Sequence, residues 1–363
     1  MNHRENRKSE KNRCRCIRNL LVCMAVAMST LLSGCSAEEK PLEKFDVQYL
    51  DYFDTITSIT VYAEDEKQWE EYQTALKDSL QRYHQMFDIY HNYQGINNIK
   101  TVNDHAGISP VEVDPDLLGL LKFSEELCDK TDGKVNVAMG SVLSIWHDYR
   151  TSGMDQPDSA GIPDMTELQA AAEHTDIHQM ELDETKGTVF LPDPVMQLDV
   201  GAVAKGYTAQ LICDDLRERG VTSALVSIGG NVQTIGRRSD GKPWRVGIQN
   251  PDTRSSNPYL HAVELEDLAL VTSGVYQRYY EVDGVRYHHI INPDTLMPWW
   301  EYQSVTILCK DGRAADALST AVFNMGLDEG KALIESMEDT EAFWVMPDGT
   351  EICSSGFEQY VKD

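Results

Sequence analysis

A mixed α/β fold, in the broad sense, is what the sequence predicts, and three observations carry that reading. Apolar residues make up 41% of the 363-residue chain, enough for a sizeable core. Amphipathic helical spacings are interspersed with short runs rich in β-branched and aromatic residues. No repeated βαβ unit and no internal repeat is visible, so pattern alone goes no further than the broad class. The length suits one large domain or two closely joined lobes.

Residues 1–34 hold seven basic and two acidic groups, ahead of the short apolar run Leu20 to Leu32. A bilayer span needs about 20 apolar residues, so a basic stretch followed by so short a run reads as an export signal. The run ends in Leu32-Ser33-Gly34-Cys35, which resembles a bacterial lipoprotein processing box with Cys35 as the lipidated thiol. A conventional secretory signal with an incidental cysteine is the alternative. Residues 35–44 read as a polar tether and 45–363 as the body of the protein, in one domain or two lobes. Cys128, Cys213, Cys309 and Cys353 then remain, without a C-x-x-C pair, which is no zinc pattern. A disulfide is open outside the cytoplasm, although Cys213 lies in a helical apolar pattern that suits a buried thiol. The whole chain carries −27, and residues 35–363 hold 25 basic against 57 acidic groups. Such a surface repels polyanions and excludes nucleic-acid binding through the phosphate backbone.

Along the body, Phe45 to Val61 predicts paired strands near Thr55–Val61, and Gln68 to Tyr90 predicts a helix. Asp114-Pro115-Asp116 supplies a capping carboxylate and a first-turn proline for a helix to about Cys128. The polar stretch Arg150 to Pro163 reads as a surface excursion, followed by a helix from Pro163-Asp164 to about His174. Strands are expected at Ile177–Leu182 and Val189–Leu191. Ala202 to Arg219 is helical and closed by Gly220; Ala224–Ile228 is a buried strand running into Gly229-Gly230-Asn231. Tyr287–Ile291, Ser304–Leu308 and Ala342–Met346 read as strands, and Ala314–Met325 as a helix ended by Gly326.

Several of these segments suit chemistry. Asp316 and Thr320, four residues apart, share one face of a slim, alanine-rich helix. A carboxylate and a hydroxyl so placed suit Mg²⁺, while helix-surface polarity is the plain alternative. Asp199 precedes a helix and is either a simple N-cap or a ligand contact; Gly201 and Ala202 leave the backbone open there. Lys205 is the lone cation of its stretch, placed to pair with Asp199 or to sit beside a phosphate. Thr272-Ser273-Gly274 reads as a turn bearing two hydroxyls. His288 and His289 fall in one strand, so at most one faces a given site. Neither a G-x-G-x-x-G nor a G-x-x-x-x-G-K-[ST] loop occurs.

Taken in order, Asp199-Val200-Gly201-Ala202-Val203-Ala204-Lys205-Gly206, Gly229-Gly230-Asn231, Thr272-Ser273-Gly274, His289-Ile290-Ile291-Asn292-Pro293 and Asp316-Ala317-Leu318-Ser319-Thr320-Ala321 resemble the ApbE-type FAD:protein FMN transferases. The resemblance implies an α+β architecture with a T-fold-like core and an associated lobe. It implies cleavage of the FAD pyrophosphate and transfer of FMN to a Thr or Ser hydroxyl of an exported acceptor protein, with release of AMP. By the same resemblance, Ala202 (through its carbonyl), Asp316 and Thr320 hold Mg²⁺. Phe53, Tyr90, Asn136, Val137, Ala138, Asp199, Lys205 and Ile290 contact FAD, and His289 lies beside the diphosphate. His289 would either take the acceptor's proton or orient the diphosphate, and Asp199 is the next candidate base. The implied acceptors belong to membrane redox or electron-transfer systems, and the lipid anchor would hold the enzyme on the extracytoplasmic face of the membrane. The chain departs from the family after Tyr90, where His91-Asn92-Tyr93 replaces a Ser-Glu pair, and at Leu296, where glycine is usual. An FAD pyrophosphatase, a non-catalytic flavin- or solute-binding lipoprotein and a ligand-free scaffold lipoprotein are the competing readings.

Overall fold

A computed structural model describes residues 41–362; the expected export signal and Cys35, the expected lipidation site, lie outside them. In chain order the strands are β1 (Glu43–Tyr52), β2 (Thr55–Ala63), β3 (Val111–Glu112), β4 (Glu181–Asp183), β5 (Thr188–Phe190), β6 (Ala224–Ile228), β7 (Asn231–Ile235), β8 (Trp244–Gln249), β9 (Tyr259–Leu265), β10 (Ala269–Gly274), β11 (Tyr279–Val282), β12 (Val285–His288), β13 (Ser304–Cys309), β14 (Glu341–Val345) and β15 (Glu351–Cys353). The helices are α1 (Glu66–Phe87), α2 (Ile99–Asp104), α3 (Pro115–Lys130), α4 (Gly140–Asp155), α5 (Met165–Ala172), α6 (Ala204–Glu218), α7 (Gly312–Phe323) and α8 (Leu327–Glu335).

Eight strands form one antiparallel sheet in the order β1-β2-β6-β7-β10-β13-β14-β15. Its alternating side chains serve two cores. On β13, Val305 and Ile307 point into the larger core with α6 and α7, while Leu308 joins the smaller core under the β8–β9 hairpin. A third cluster, with Trp146 of α4, Leu168 of α5 and Tyr280 of β11, seats α4 beside the β11–β12 hairpin. Antiparallel sheet plus helices makes the fold α+β, as expected.

Two tight hairpin turns lie side by side at one end of the sheet. Gly229 and Gly230 take φ of 59° and 91° between β6 and β7, as a type I′ turn requires. Phe53 and Asp54 do the same between β1 and β2 with φ of 56° and 50°, a conformation that costs a side-chain-bearing residue about 1 kcal/mol or more. The turn is held because the Phe53 N–H donates to His84 Nδ1 (3.2 Å) and its ring packs edge-on to that imidazole. The Gly229 N–H donates to the Ile56 carbonyl, and a Cβ on Gly229 would stand 2.7 Å from Thr55 Oγ1.

Several expected boundaries shift. The strand β1 begins at Glu43, inside the expected tether. Arg150 to Pro163 is not all excursion, because α4 runs to Asp155. Ile177–Gln179 is a 3₁₀ turn that precedes the short β4. Thr272-Ser273-Gly274 is the end of β10, paired with β13, rather than a turn. Gly326 caps the start of α8 instead of closing α7, which ends at Asn324. Asp199 is no N-cap either, since Val203 holds that position for α6. The four described cysteines are free thiols.

The strand expected over Tyr287–Ile291 ends at His288, and the reason is chemical. His288 is buried, donates from Nε2 to the Trp299 carbonyl (2.8 Å) and accepts the Ile290 N–H at Nδ1 (3.2 Å). Those partners demand the neutral imidazole, and burial pushes its pKa down to about 4. Folding therefore favours the unprotonated ring, and stability falls as pH drops from about 6.5 toward about 4. In His288→Phe this part of the pH slope disappears, read as the difference between variant and parent in urea midpoint across that range.

The helices α6 and α7 cross where Gly206 faces Gly312. A Cβ on Gly206 would lie 2.3 Å from the Gly312 carbonyl oxygen and 2.4 Å from Asp316 Cβ. Gly206→Ala is expected to cost about 1–3 kcal/mol, seen as a lower urea midpoint with an unchanged m-value.

Candidate active site

Asp316 sits on α7 at that crossing, buried to 4% exposure. Its Oδ2 accepts the Gly206 N–H at 2.7 Å. Gly206 lies in the first turn of α6, whose N–H groups have no acceptor within the helix, and the carboxylate satisfies this one. Ala202 precedes the Val203 N-cap, so its carbonyl lies outside the α6 ladder. Burial raises the Asp316 pKa, opposed by the Lys205 charge, the Gly206 amide and the Asn231 side chain. Asn231 arrives there because the Gly229-Gly230 turn starts β7 at that residue. Lys205 donates to the Gly201 carbonyl (3.3 Å) rather than pairing with Asp199.

Thr320 lies one turn along α7 from Asp316. Ser273, near the end of β10, reaches Ser319 Oγ at 2.8 Å and Thr320 Oγ1 at 3.3 Å, and Ser319 donates to the Asp316 carbonyl. Asp316 and Thr320 share one face of α7, as their spacing predicts, and Asp316 meets the start of α6. Among the described residues no three His, Cys, Asp or Glu side chains cluster to hold a metal. The candidate donor set is of another kind: one carboxylate, one hydroxyl and one backbone carbonyl.

A second group borders a cavity of about 230 Å³ lined in part by Tyr90, Ser144, His147 and Asp199. Asp199 Oδ1 accepts the Gly201 N–H at 2.8 Å, and its Oδ2 lies 3.9 Å from His147 Nε2. His147 Nδ1 stands 3.2 Å from the Tyr90 hydroxyl, so the imidazole bridges two residues that sequence had separated by more than a hundred positions. Desolvation lowers the His147 pKa, Asp199 opposes it, and Arg150 adds to the lowering. Asn136 turns its own segment by accepting the Ala138 N–H (2.8 Å) and donates to the Thr175 carbonyl. Val137 and Ala138 are buried, and the Val137 carbonyl receives the Asp199 N–H at 2.8 Å. Phe53 sits in the strained β1–β2 turn, next to Asp54, whose charge reaches Tyr90.

His289 follows β12 and is half-buried, opposite in orientation to His288. Its backbone N–H (3.1 Å) and its Nδ1 (3.3 Å) both address the Arg278 carbonyl. Desolvation, then Arg278, His288, Arg150 and Lys205, push its pKa down to about 3. It is therefore a neutral ring in a positive surrounding. Ile290 beside it is buried. Sequence reasoning missed His147, Arg150 and Arg278. His147 and Arg150 are three apart and share a face of α4, a signal hidden because the segment was read as irregular from Arg150 onward.

Comparison with known proteins places the chain in a family. A family model described as the ApbE family matches residues 53–344. The FAD:protein FMN transferase of Treponema pallidum is 34% identical over 73% of this chain and 75% of its own length. That of Vibrio cholerae is 29% identical over 95% of this chain and 100% of its own. Among solved structures, the ApbE protein of Thermotoga maritima superposes with a TM-score of 0.76 at 26% identity, covering 88% of this chain and all of that one. The flavin transferase ApbE of Vibrio cholerae gives 0.74 at 27% identity, with the same two coverages. The chain belongs to the ApbE family.

Proposed function

We propose that this chain is an FAD:protein FMN transferase that uses Mg²⁺ to move FMN from FAD to a Thr or Ser hydroxyl of an exported acceptor, releasing AMP. The observation that carries the reading is the Asp316–Gly206 contact, which buries a carboxylate against the start of α6, a few residues from Ala202. Asp316, Thr320 and the Ala202 carbonyl are hard oxygen donors with a single negative charge, a set that fits Mg²⁺. Bound there, Mg²⁺ would neutralise diphosphate charge and favour departure of AMP.

The residues of the chain supply the rest. Lys205 and His289 border the same region, and Lys205 offers positive charge to a diphosphate. His289, neutral and donating from Nδ1 to the Arg278 carbonyl, presents Nε2 as an acceptor; an arriving anion would raise its pKa toward the range where it takes the acceptor's proton, and the protonated ring would then donate to a phosphate oxygen. Tyr90, His147, Asp199 and the Asn136–Ala138 backbone form the wall that would fix the flavin. In-line attack by a hydroxyl on a phosphoanhydride needs this placement and charge neutralisation more than a protein nucleophile. The export signal and Cys35 would put the enzyme, lipid-anchored, on the extracytoplasmic face of the membrane. Acceptors of membrane redox or electron-transfer systems would meet it there.

The test is incubation of the chain with FAD, Mg²⁺ and an acceptor protein bearing a target hydroxyl. Intact mass should show one added FMN, and nucleotide analysis an equal amount of AMP. AMP without protein modification would mean a pyrophosphatase, and binding without AMP a flavin carrier. Asp316→Asn is expected to lower metal-dependent AMP release about 100-fold or more, since changes even one shell further out cost about 10–100-fold. Full turnover in that variant would reject the assigned ligand.

A further inference from the structure

The described arginines are, with two exceptions, engaged. Arg82, Arg217, Arg219, Arg237, Arg238, Arg254, Arg286 and Arg313 pair with carboxylates, and Arg245 donates to the Lys362 carbonyl. The guanidinium groups of Arg150 and Arg278 make no hydrogen bond and no ion pair among the described residues, in a chain of net charge −27 that has carboxylates to spare. They are also neighbours. Arg150 lies on α4 one turn from His147. The same helix packs on β11 through Gly153, where a Cβ would stand 2.6 Å from the Tyr280 ring, two residues beyond Arg278. The backbone of Arg278 is pinned in turn by His289.

Burial and the Arg278 charge disfavour the half-buried Arg150 guanidinium, and Tyr90 and Asp199 offset only part of that cost. Arg278 is exposed. The charges of both arginines reach His147 on the cavity wall and His289, and two guanidinium forks so placed present the donor geometry that a phosphate group takes up best.

We infer that Arg150 and Arg278 form a phosphate-binding site that holds a phosphoryl group of the flavin nucleotide between the flavin wall and His289. This rests on the flavin-nucleotide reading above and adds residues which that reading does not contain. The pair makes affinity depend on the phosphate rather than on the ring, and it gives that affinity a salt dependence.

The experiment titrates riboflavin, FMN and FAD by fluorescence quenching against the parent chain, Arg150→Gln and Arg278→Gln, without added metal and at two salt concentrations. The parent should bind FMN and FAD at least about tenfold more tightly than riboflavin, a margin of the size of one charge-assisted contact. Each variant should lose most of that margin and its salt dependence while riboflavin affinity stays unchanged. Equal weakening of all three flavins would make the arginines mere support for the pocket wall and overturn the inference. Unchanged flavin affinities with a raised KM for the acceptor protein would assign them to the acceptor and overturn it likewise. If the parent binds FAD and the variants keep its phosphate preference, this inference fails alone. If the parent binds no flavin, the transferase reading falls with it.

Discussion

One contact organises the molecule: a buried carboxylate on α7 takes an amide proton from the first turn of α6. Asp316 gains an N–H at the positive end of a helix dipole, which helps to keep the charged form in a buried place. The amide it receives is one that the first turn of α6 leaves without a partner. That contact is available only if the helices approach closely, and they do so because glycines stand at both faces of the crossing. Backbone geometry, charge and ligand supply are therefore a single constraint.

The sheet serves that constraint. Antiparallel pairing places the ends of β7 and β10 next to the α6–α7 crossing, so that Asn231 and Ser273 reach the Asp316–Thr320 face. The residue that starts β7 is set by the two-glycine turn before it. A turn with ordinary side chains would clash with Thr55 and shift Asn231 from the carboxylate.

Much of this was legible in the sequence, and the exceptions have causes. The strand Ala224–Ile228 fell where its apolar run predicted, and Gly220 ends α6 with φ of 88° because a left-handed residue is needed there. The face shared by Asp316 and Thr320 followed from helical spacing alone. By contrast, Thr272-Ser273-Gly274 looked like a turn by composition, yet full pairing with β13 keeps it extended. The end of α4 contains Gly153 and precedes Pro157, so it read as a loop; packing of that glycine under Tyr280 sustains the helix. Losing that helix meant losing His147 and Arg150. Their partners come from distant segments, and no local pattern announces a contact between residues 90, 147, 199 and 278.

The long first strand has a practical bearing. β1 enters at Glu43 and turns at Phe53, and at about 3.3 Å per residue its ends are roughly 30 Å apart. The turn end is the one beside Gly229, near Asp316, and the entry end is its opposite. A fusion partner, affinity handle or surface linkage joined ahead of Leu42 thus meets the sheet at the pole remote from the chemistry, which makes that junction the rational place for immobilising the enzyme.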